Sequence, residues 1–354
     1  MKFTIERAAL LKSLSHVQNV VERRHTNPLL SNVKITAEDG EEGRIVLNAT
    51  DNELEISENA PAKVNAAGSI TAPAHKLYEI IRKLPDGAEI EFSLNTEKGQ
   101  LNIAAGRAKF ALATMPGEDF PTIADGEMTH TFVLPAQDLQ DLIERTAFAV
   151  STEETRYYLN GIYLHEATSK EEKILRAVAT DGHRLACAEA VFPEGAAGMP
   201  GIIIPRKAIG ELSKLLAEES GEVKVALSTY KIQFTFGNLI LTSLLIEGTY
   251  PDYERVIPLE NDKILEVEAP ALRSTVWLSC PKNRALSVCP FPKGWSRFPP
   301  RTPKREARRT NWKPNTTRKG WMSALTTVIC WMFWARSRAA WCASLSWIRR
   351  LRLF

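Results

Sequence analysis

The side chains in this sequence best suited to acid–base chemistry at neutral pH are six histidines, His16, His25, His75, His130, His165 and His183. Imidazole alone among side chains ordinarily titrates in that range. They are scattered, with no His-x-x-x-His pair and no metal-ligand spacing. The sequence also lacks a Gly-rich phosphate loop and a Cys-x-x-Cys pair. His183, in "TDGHRL", is the one candidate general base, but it sits between Gly and Arg with no nucleophile in the same motif. A structural or binding-surface role fits it better. The expectation is therefore recognition rather than catalysis, with no catalytic residue, no metal and no cofactor.

The elements that must position these residues come in repeats. "FTIERAALLKSL" (3–14) aligns with "FVLPAQDLQDLI" (132–143), Phe3 falling on Phe132 and Leu10 on Leu139. Ala-Thr-Asp recurs at 49–51 and 179–181. Pro73 falls on Pro205 within "APAHKLYEIIRKLPDGAEIEF" and "IPRKAIGELSKLLAEESGEVKV", and Pro121 falls on Pro251. Four landmarks in one order, offset by 129 to 132 residues, define a unit that occurs twice. Alternation in "KFALATM" and "KIQFTF" predicts strands, and the spacing of Leu77, Ile80, Ile81 and Leu84 predicts a helix. The fold class expected is α+β, each unit carrying two helices on antiparallel sheet. A third unit starts at "LEVEAPALRS" (265–274), and the match stops after Leu272.

Composition breaks at the same point. Residues 273–354 hold 18 Lys and Arg against one acidic residue, Glu306, whereas 1–272 carry a net charge of −14. All eight tryptophans and four of the five cysteines lie in the basic part, leaving only Cys187 before it. No disulfide framework is expected in 1–272, which suits a reducing compartment. The interleaved charges of "MKFTIERAALLKSL" do not resemble a signal peptide, so a cytoplasmic location is expected. "WMSALTTVICWMFWA" (321–335) is 15 residues long, short of the ~20 apolar residues of a spanning helix.

Five motifs in order, "MKFTIER", "RYYLNGIYL" (156–164), "ATDGHRLA" (179–186), "IPRK" (204–207) and "YPDYERVIP" (250–258), make residues 1–272 resemble the bacterial DNA polymerase III β subunit family, the sliding clamps. The resemblance implies three similar domains per chain, two chains closing head to tail into a homodimeric ring around duplex DNA, and no catalysis. It implies domains at 1–127, 128–256 and 257–354. Arg24, Arg82, Arg107, Tyr157 and Tyr158 match family positions that touch DNA. His75 and Glu153 stand where the family often has Arg and Gln. A ring that slides needs diffuse, sequence-independent phosphate contacts. The candidates on basic grounds are Arg24, Lys76, Arg82, Lys83, Arg107, Lys109 and Arg156, gathered on hole-lining helices while the acidic body repels DNA. The family also binds a short motif from the polymerase III α subunit, the clamp loader and repair polymerases. Matching pocket positions are Leu159, Thr180, Gly182, His183, Arg184, Leu185, Pro251, Arg255 and Val256. A pocket wall from the family's Met-Pro-Met-type ending is not expected here, because the sequence ends "RRLRLF".

A shifted reading frame explains both breaks after Leu272. Trp and Met have single codons, so restoring the frame forces Asp at Trp321–Met322 and Trp331–Met332, Val at Met332–Phe333, and Gly at Trp334–Ala335. Allowed codons then turn the stretch around "WMFWAR" into the amphipathic "YRYLLDVLGE". The expectation is that residues beyond about 272 do not form a native third domain, and that ring closure of the family type is impaired. The alternative functions are a two-domain enzyme with a pocket near 179–186, and a peptide-binding adaptor.

Overall fold

Strands run straight into helices at four joints, and prolines mark three of them. The computed structural model describes residues 1–22, 26–40, 43–124, 126–169 and 171–257. The first unit runs β1 (Lys2–Glu6), α1 (Arg7–Val17), β2 (Asn32–Glu38), β3 (Arg44–Thr50), β4 (Leu54–Pro61), β5 (Lys63–Ala66), β6 (Gly68–Pro73), α2 (Ala74–Lys83), β7 (Glu89–Asn95), β8 (Gln100–Ala105), β9 (Ala108–Ala113) and β10 (Met115–Pro116). The second runs β11 (His130–Pro135), α3 (Ala136–Glu144), β12 (Gly161–Ser169), β13 (Glu172–Thr180), β14 (Leu185–Val191), β15 (Ile202–Pro205), α4 (Arg206–Leu216), β16 (Glu222–Leu227), β17 (Lys231–Phe236) and β18 (Leu239–Leu244). Pro73, Pro135 and Pro205 precede α2, α3 and α4 with φ of −59°, −56° and −61°. The ring fixes φ near the helical value, so strand passes to helix with no intervening loop.

The repeat expected from sequence is present in the strand order. Three antiparallel sheets form, ordered β5-β1-β7-β8-β9, β10-β6-β2-β3-β4-β18-β17-β16-β11 and β14-β13-β12-β15. The set β6-β2-β3-β4 of the first unit reappears as β15-β12-β13-β14, and β1-β7-β8-β9 as β11-β16-β17-β18. One edge joins the units. Leu54–Glu58 of β4 pairs with Leu239–Ser243 of β18, so the nine-stranded sheet crosses from one unit to the next. β9 and β14 are the repeat counterparts of β18 and β4, and both are edge strands among the described residues.

Alternation places the core. β4 buries every second residue, Leu54, Ile56, Glu58 and Ala60, as a one-sided strand must. Helix α2 buries Ala74, Leu77 and Ile81, one face of a 3.6-residue period; it ends at Lys83, with Leu84 capping it. Phe3 and Phe92 stack at 4.7 Å in the first unit. Each fully buried side chain of this size stabilises the fold by about 2–3 kcal/mol. No helix among the described residues is long and apolar enough to cross a membrane. The expected third unit, the tail and Arg24 lie outside the described residues.

Candidate functional site

The two Ala-Thr-Asp copies build the same turn. In the first, Asp51 Oδ1 accepts from the backbone N–H groups of Glu53 and Leu54 at 2.9 and 2.6 Å, and Thr50 Oγ1 from Asn52 N at 3.0 Å. In the second, Asp181 Oδ1 accepts from His183 N and Arg184 N at 2.9 and 3.0 Å, and Thr180 Oγ1 from Gly182 N at 3.0 Å. Short polar side chains that capture the backbone two residues on make tight hairpin turns. The third turn residue has positive φ in both copies, 77° at Asn52 and 84° at Gly182, a region open to Asn and Gly. A Cβ at position 182 would meet the Arg156 guanidinium at 2.5 Å. Arg156 itself donates to Glu153 at 2.9 Å and to the Asp181 carbonyl at 3.2 Å. Arg156, expected to reach DNA, thus ties the Glu154–Leu159 turn to the Asp181 turn.

Of the nine expected pocket residues, Leu159 and Leu185 enter one apolar cluster, with Val178, Cys187, Ile203, Tyr250 and Tyr253. Thr180 is buried beside it. Gly182, His183 and Arg184 follow on the turn, with Arg184 held by Asp181 at 3.1 Å and lying 5.4 Å from the Phe148 ring. Pro251 and Arg255 are exposed, Val256 is half-buried, and Arg255 pairs with Asp252 at 2.6 Å. The sequence reading missed the aromatic floor: Tyr163 stacks on Tyr250 at 4.7 Å and on His165 at 4.6 Å. Tyr250 and Tyr253 stood in the sequence only as part of the "YPDY" motif, with no local signal of what they stack on. His165 Nδ1–H donates to the Glu166 carbonyl at 2.7 Å and Nε2 accepts from Tyr253 Oη at 2.9 Å. Burial lowers its pKa, helped by the nearby Arg176 charge and opposed by the Glu166 hydrogen bond. Burial pushes the Cys187 thiol and the Tyr253 hydroxyl each up to about 12. These groups are neutral at physiological pH, as a surface for apolar anchors requires.

The basic candidates divide by element. Lys76, Arg82 and Lys83 are exposed on α2, with Arg82 5.7 Å from the Tyr78 ring. Arg107 and Lys109 are exposed too, but at the β8–β9 turn and on β9 rather than on a helix. Grouping by charge alone put them on helices, although alternation in "KFALATM" already predicted a strand at Lys109. Tyr157 is 55% exposed, whereas Tyr158 packs against the apolar cluster. By formal charge α1, α2 and α4 each carry +2, while α3 carries −3.

Charged side chains close the joint between the units, and sequence reasoning found none of them. Lys207, opening α4, pairs with Asp51 of the first-unit turn and with Glu22 at 3.4 Å. Burial opposes its charge, but the hydrogen bond and charge of Asp51, with Glu22, raise its pKa on balance. His16 of α1 bridges Glu58 of β4 at 2.8 Å and Glu218, just beyond α4, at 3.1 Å. His16, Glu58 and Glu218 line a groove of 340 Å³ between the units.

Comparisons with known proteins agree with this arrangement. The family profile described as DNA polymerase III beta subunit, N-terminal domain, matches residues 1–124, and that of the central domain matches residues 133–252. A protein named beta sliding clamp from Caulobacter vibrioides is 47% identical over 296 residues, covering 82% of this chain and 79% of its own length. One of the same name from Escherichia coli K12 is 38% identical over 276 residues, covering 77% and 72%. The crystal structure of a DnaN sliding clamp from Bartonella birtlesii bound to griselimycin superposes with TM-score 0.75 at 48% identity, over 80% of this chain and 75% of that one. The DNA polymerase sliding clamp of Caulobacter crescentus gives TM-score 0.74 at 48% identity, over 79% and 74%.

Proposed function

The chain belongs to the bacterial DNA polymerase III beta subunit family, the polymerase processivity clamps of DNA replication, and on that premise we propose how its own residues serve the task. It acts as an accessory subunit in the cytoplasm with no chemistry of its own. It holds the replicative polymerase III α subunit on its template and takes the clamp loader and repair polymerases by a shared peptide motif. The observation that carries this reading is the inter-unit sheet, Leu54–Glu58 on Leu239–Ser243. Backbone pairing fixes each unit rigidly to the next, and β9 and β14, edge strands among the described residues, are where the same pairing can continue. Units joined in this way form an arc that can close around a duplex.

Arg82 and Arg107 contact phosphates from the inner side, with Arg24 and the tyrosines Tyr157 and Tyr158. Such contacts are sequence-independent and salt-sensitive, which lets a ring slide. The cluster around Leu159 and Leu185, rimmed by Thr180, Gly182, His183, Arg184, Pro251, Arg255 and Val256, receives the apolar anchors of partner peptides. Apolar slots with a few oriented polar groups suit this task. The domains run 1–127, 128–256 and from 257 on, the last out of frame from about 273, so closure of two chains through their third domains fails.

The test restores the frame by one nucleotide near codon 273 and compares both chains on nicked circular DNA with a clamp loader. The restored chain is expected to stay on the circle, to be lost on linearisation, and to run as a homodimer. The chain as written is expected not to be retained. Equal retention of the two would overturn the frame reading. Retention of neither, with a dimeric restored chain, would overturn the clamp reading. Resequencing codons 268–276 checks the frame directly.

A further inference from the structure

We propose that the second unit of this chain, through the outer edge of β14, receives β9 of a second copy, so that copies associate head to tail by a unit-two to unit-one joint. The observation is a groove of 410 Å³ lined by Asp138, Asp141 and Leu142 of α3, by Arg145 capping that helix, by residues 172–174 of β13 and by Ala188–Val191 of β14. It is the repeat counterpart of the groove that the second unit covers in the first. Asp138, Asp141, Leu142 and Arg145 stand where Ala9, Lys12, Ser13 and His16 stand, and Ala188–Val191 where Glu58–Pro61 stand. In the first unit that site is filled by β18 and by the residues around Leu215, Glu218 and Asn238.

The first unit carries the matching half. Hairpin β8–β9 matches β17–β18 in register: Ala105 pairs with Ala108 as Phe236 pairs with Leu239. The turn glycines agree in conformation, Gly106 at φ 56° and Gly237 at 53°. Carrying the β4–β18 register across puts Ala108 opposite Ala188, Lys109 opposite Cys187 and Phe110 opposite Ala186. Each edge also carries an exposed apolar side chain with no place in its own core, Phe110 at 39% and Val191 at 80%. Long exposed apolar edges are templates for strand pairing.

Charge selects a second copy as the occupant. In the joint within the chain, the second unit brings Glu218 and Glu219 to Lys12 and His16. At the open sites the signs are reversed on both sides. The β9 side presents Lys83, Arg107 and Lys109, and the β14 side presents Asp138, Asp141, Glu172 and Glu189 against Arg145 and Lys173, a net negative lining. Glu189 is held by Arg176 at 2.9 Å and the transferred register sets it beside Arg107. Complementary fields favour this pairing and penalise like edges meeting. A joint between different patches extends head to tail rather than stopping at a symmetric pair. The joint is distinct from closure through a third domain and needs no DNA.

Light scattering after size exclusion, over a range of concentrations of the full chain, tests it. The mass is expected to rise above one chain with concentration. Phe110→Asp and Val191→Asp, both at exposed sites, are each expected to run as single chains. Their equimolar mixture is expected to regain a species of two chains and no more, because each retains the half the other lacks. A chain carrying both Arg107→Cys and Glu189→Cys, two exposed positions that the transferred register sets side by side, is expected under mild oxidation to cross-link between copies more than either single variant. A wild-type chain that stays single, a Val191→Asp variant that assembles like wild type, or a mixture that stays single would each overturn the proposal.

Discussion

Replacing His16 by alanine removes the bridge between the units. Both ring nitrogens face carboxylate oxygens, Glu58 at 2.8 Å and Glu218 at 3.1 Å. A carboxylate only accepts, so both contacts are hydrogen bonds only when both nitrogens carry hydrogen, which favours the imidazolium form. Its pKa is accordingly raised above 6.5, chiefly by the Glu58 hydrogen bond, with burial opposing and the two negative charges assisting. Glu58 is 9% exposed in its side chain, and its other oxygen accepts from Ser13 Oγ at 2.8 Å. Without the ring, a buried carboxylate keeps one hydroxyl donor. Breaking a buried pair by removing one partner costs ~3–5 kcal/mol; the Ser13 bond puts this variant at about 3 kcal/mol. A folded-state pKa raised above the unfolded value gives stability that is complete below about pH 6.5 and is lost as pH rises through the folded value. The wild-type chain is therefore expected to lose stability on that rise, by no more than about 1.4 kcal/mol per pH unit for one proton. His16→Ala is expected to flatten this component. Urea unfolding followed by far-UV circular dichroism from about pH 6 to pH 9, as a difference between the two chains, measures both effects. Tryptophan emission cannot serve, because residues 1–272 contain no tryptophan. A variant that costs under about 1 kcal/mol and keeps the wild-type pH slope would refute the bridge.

His165 has the opposite sign: its lowered pKa gives stability that is present above about pH 6.5 and lost as pH falls through the folded value. His165→Phe is expected to remove that acid-side loss in the same unfolding series. Lys207→Ala leaves Asp51, 6% exposed in its side chain, without its cation, and is expected to cost about 2 kcal/mol in urea unfolding. Arg82→Ala and Arg107→Ala are each expected to reduce the slope of log K against log salt by about 0.9, measured by anisotropy on duplex DNA with the frame-restored chain. Val256→Asp, at the half-buried rim of the cluster, is expected to weaken a clamp-binding peptide about tenfold or more in a polarisation titration while leaving the far-UV spectrum unchanged.

The repeat, the α+β class and the strand-to-helix joints were legible because each is a local pattern. Alternation, a 3.6-residue period and a proline before a helix act over a few residues, and a second copy at a near-constant offset confirms them. The Ala-Thr-Asp motif was legible as a landmark, and its turn follows from local hydrogen bonds. The absence of a catalytic constellation in the sequence and the break after Leu272 were also matters of composition and spacing. Leu159 and Leu185 were identified through family motifs, while the tyrosines that floor their cluster went unread, since an aromatic residue in a loop gives no sign of what it stacks on.

The tertiary structure alone decided what joins the units. His16 lies 42 residues from Glu58 and 202 from Glu218. No periodicity connects residues so far apart, and a surface lysine has the same local signature as Lys207. Only the pairing of β4 with β18 brings these charges together, excludes water from them, and so gives them energetic weight. The fold likewise set Arg107 at the β8–β9 turn and Lys109 on β9, an edge strand among the described residues, rather than on the helices to which charge alone had assigned them.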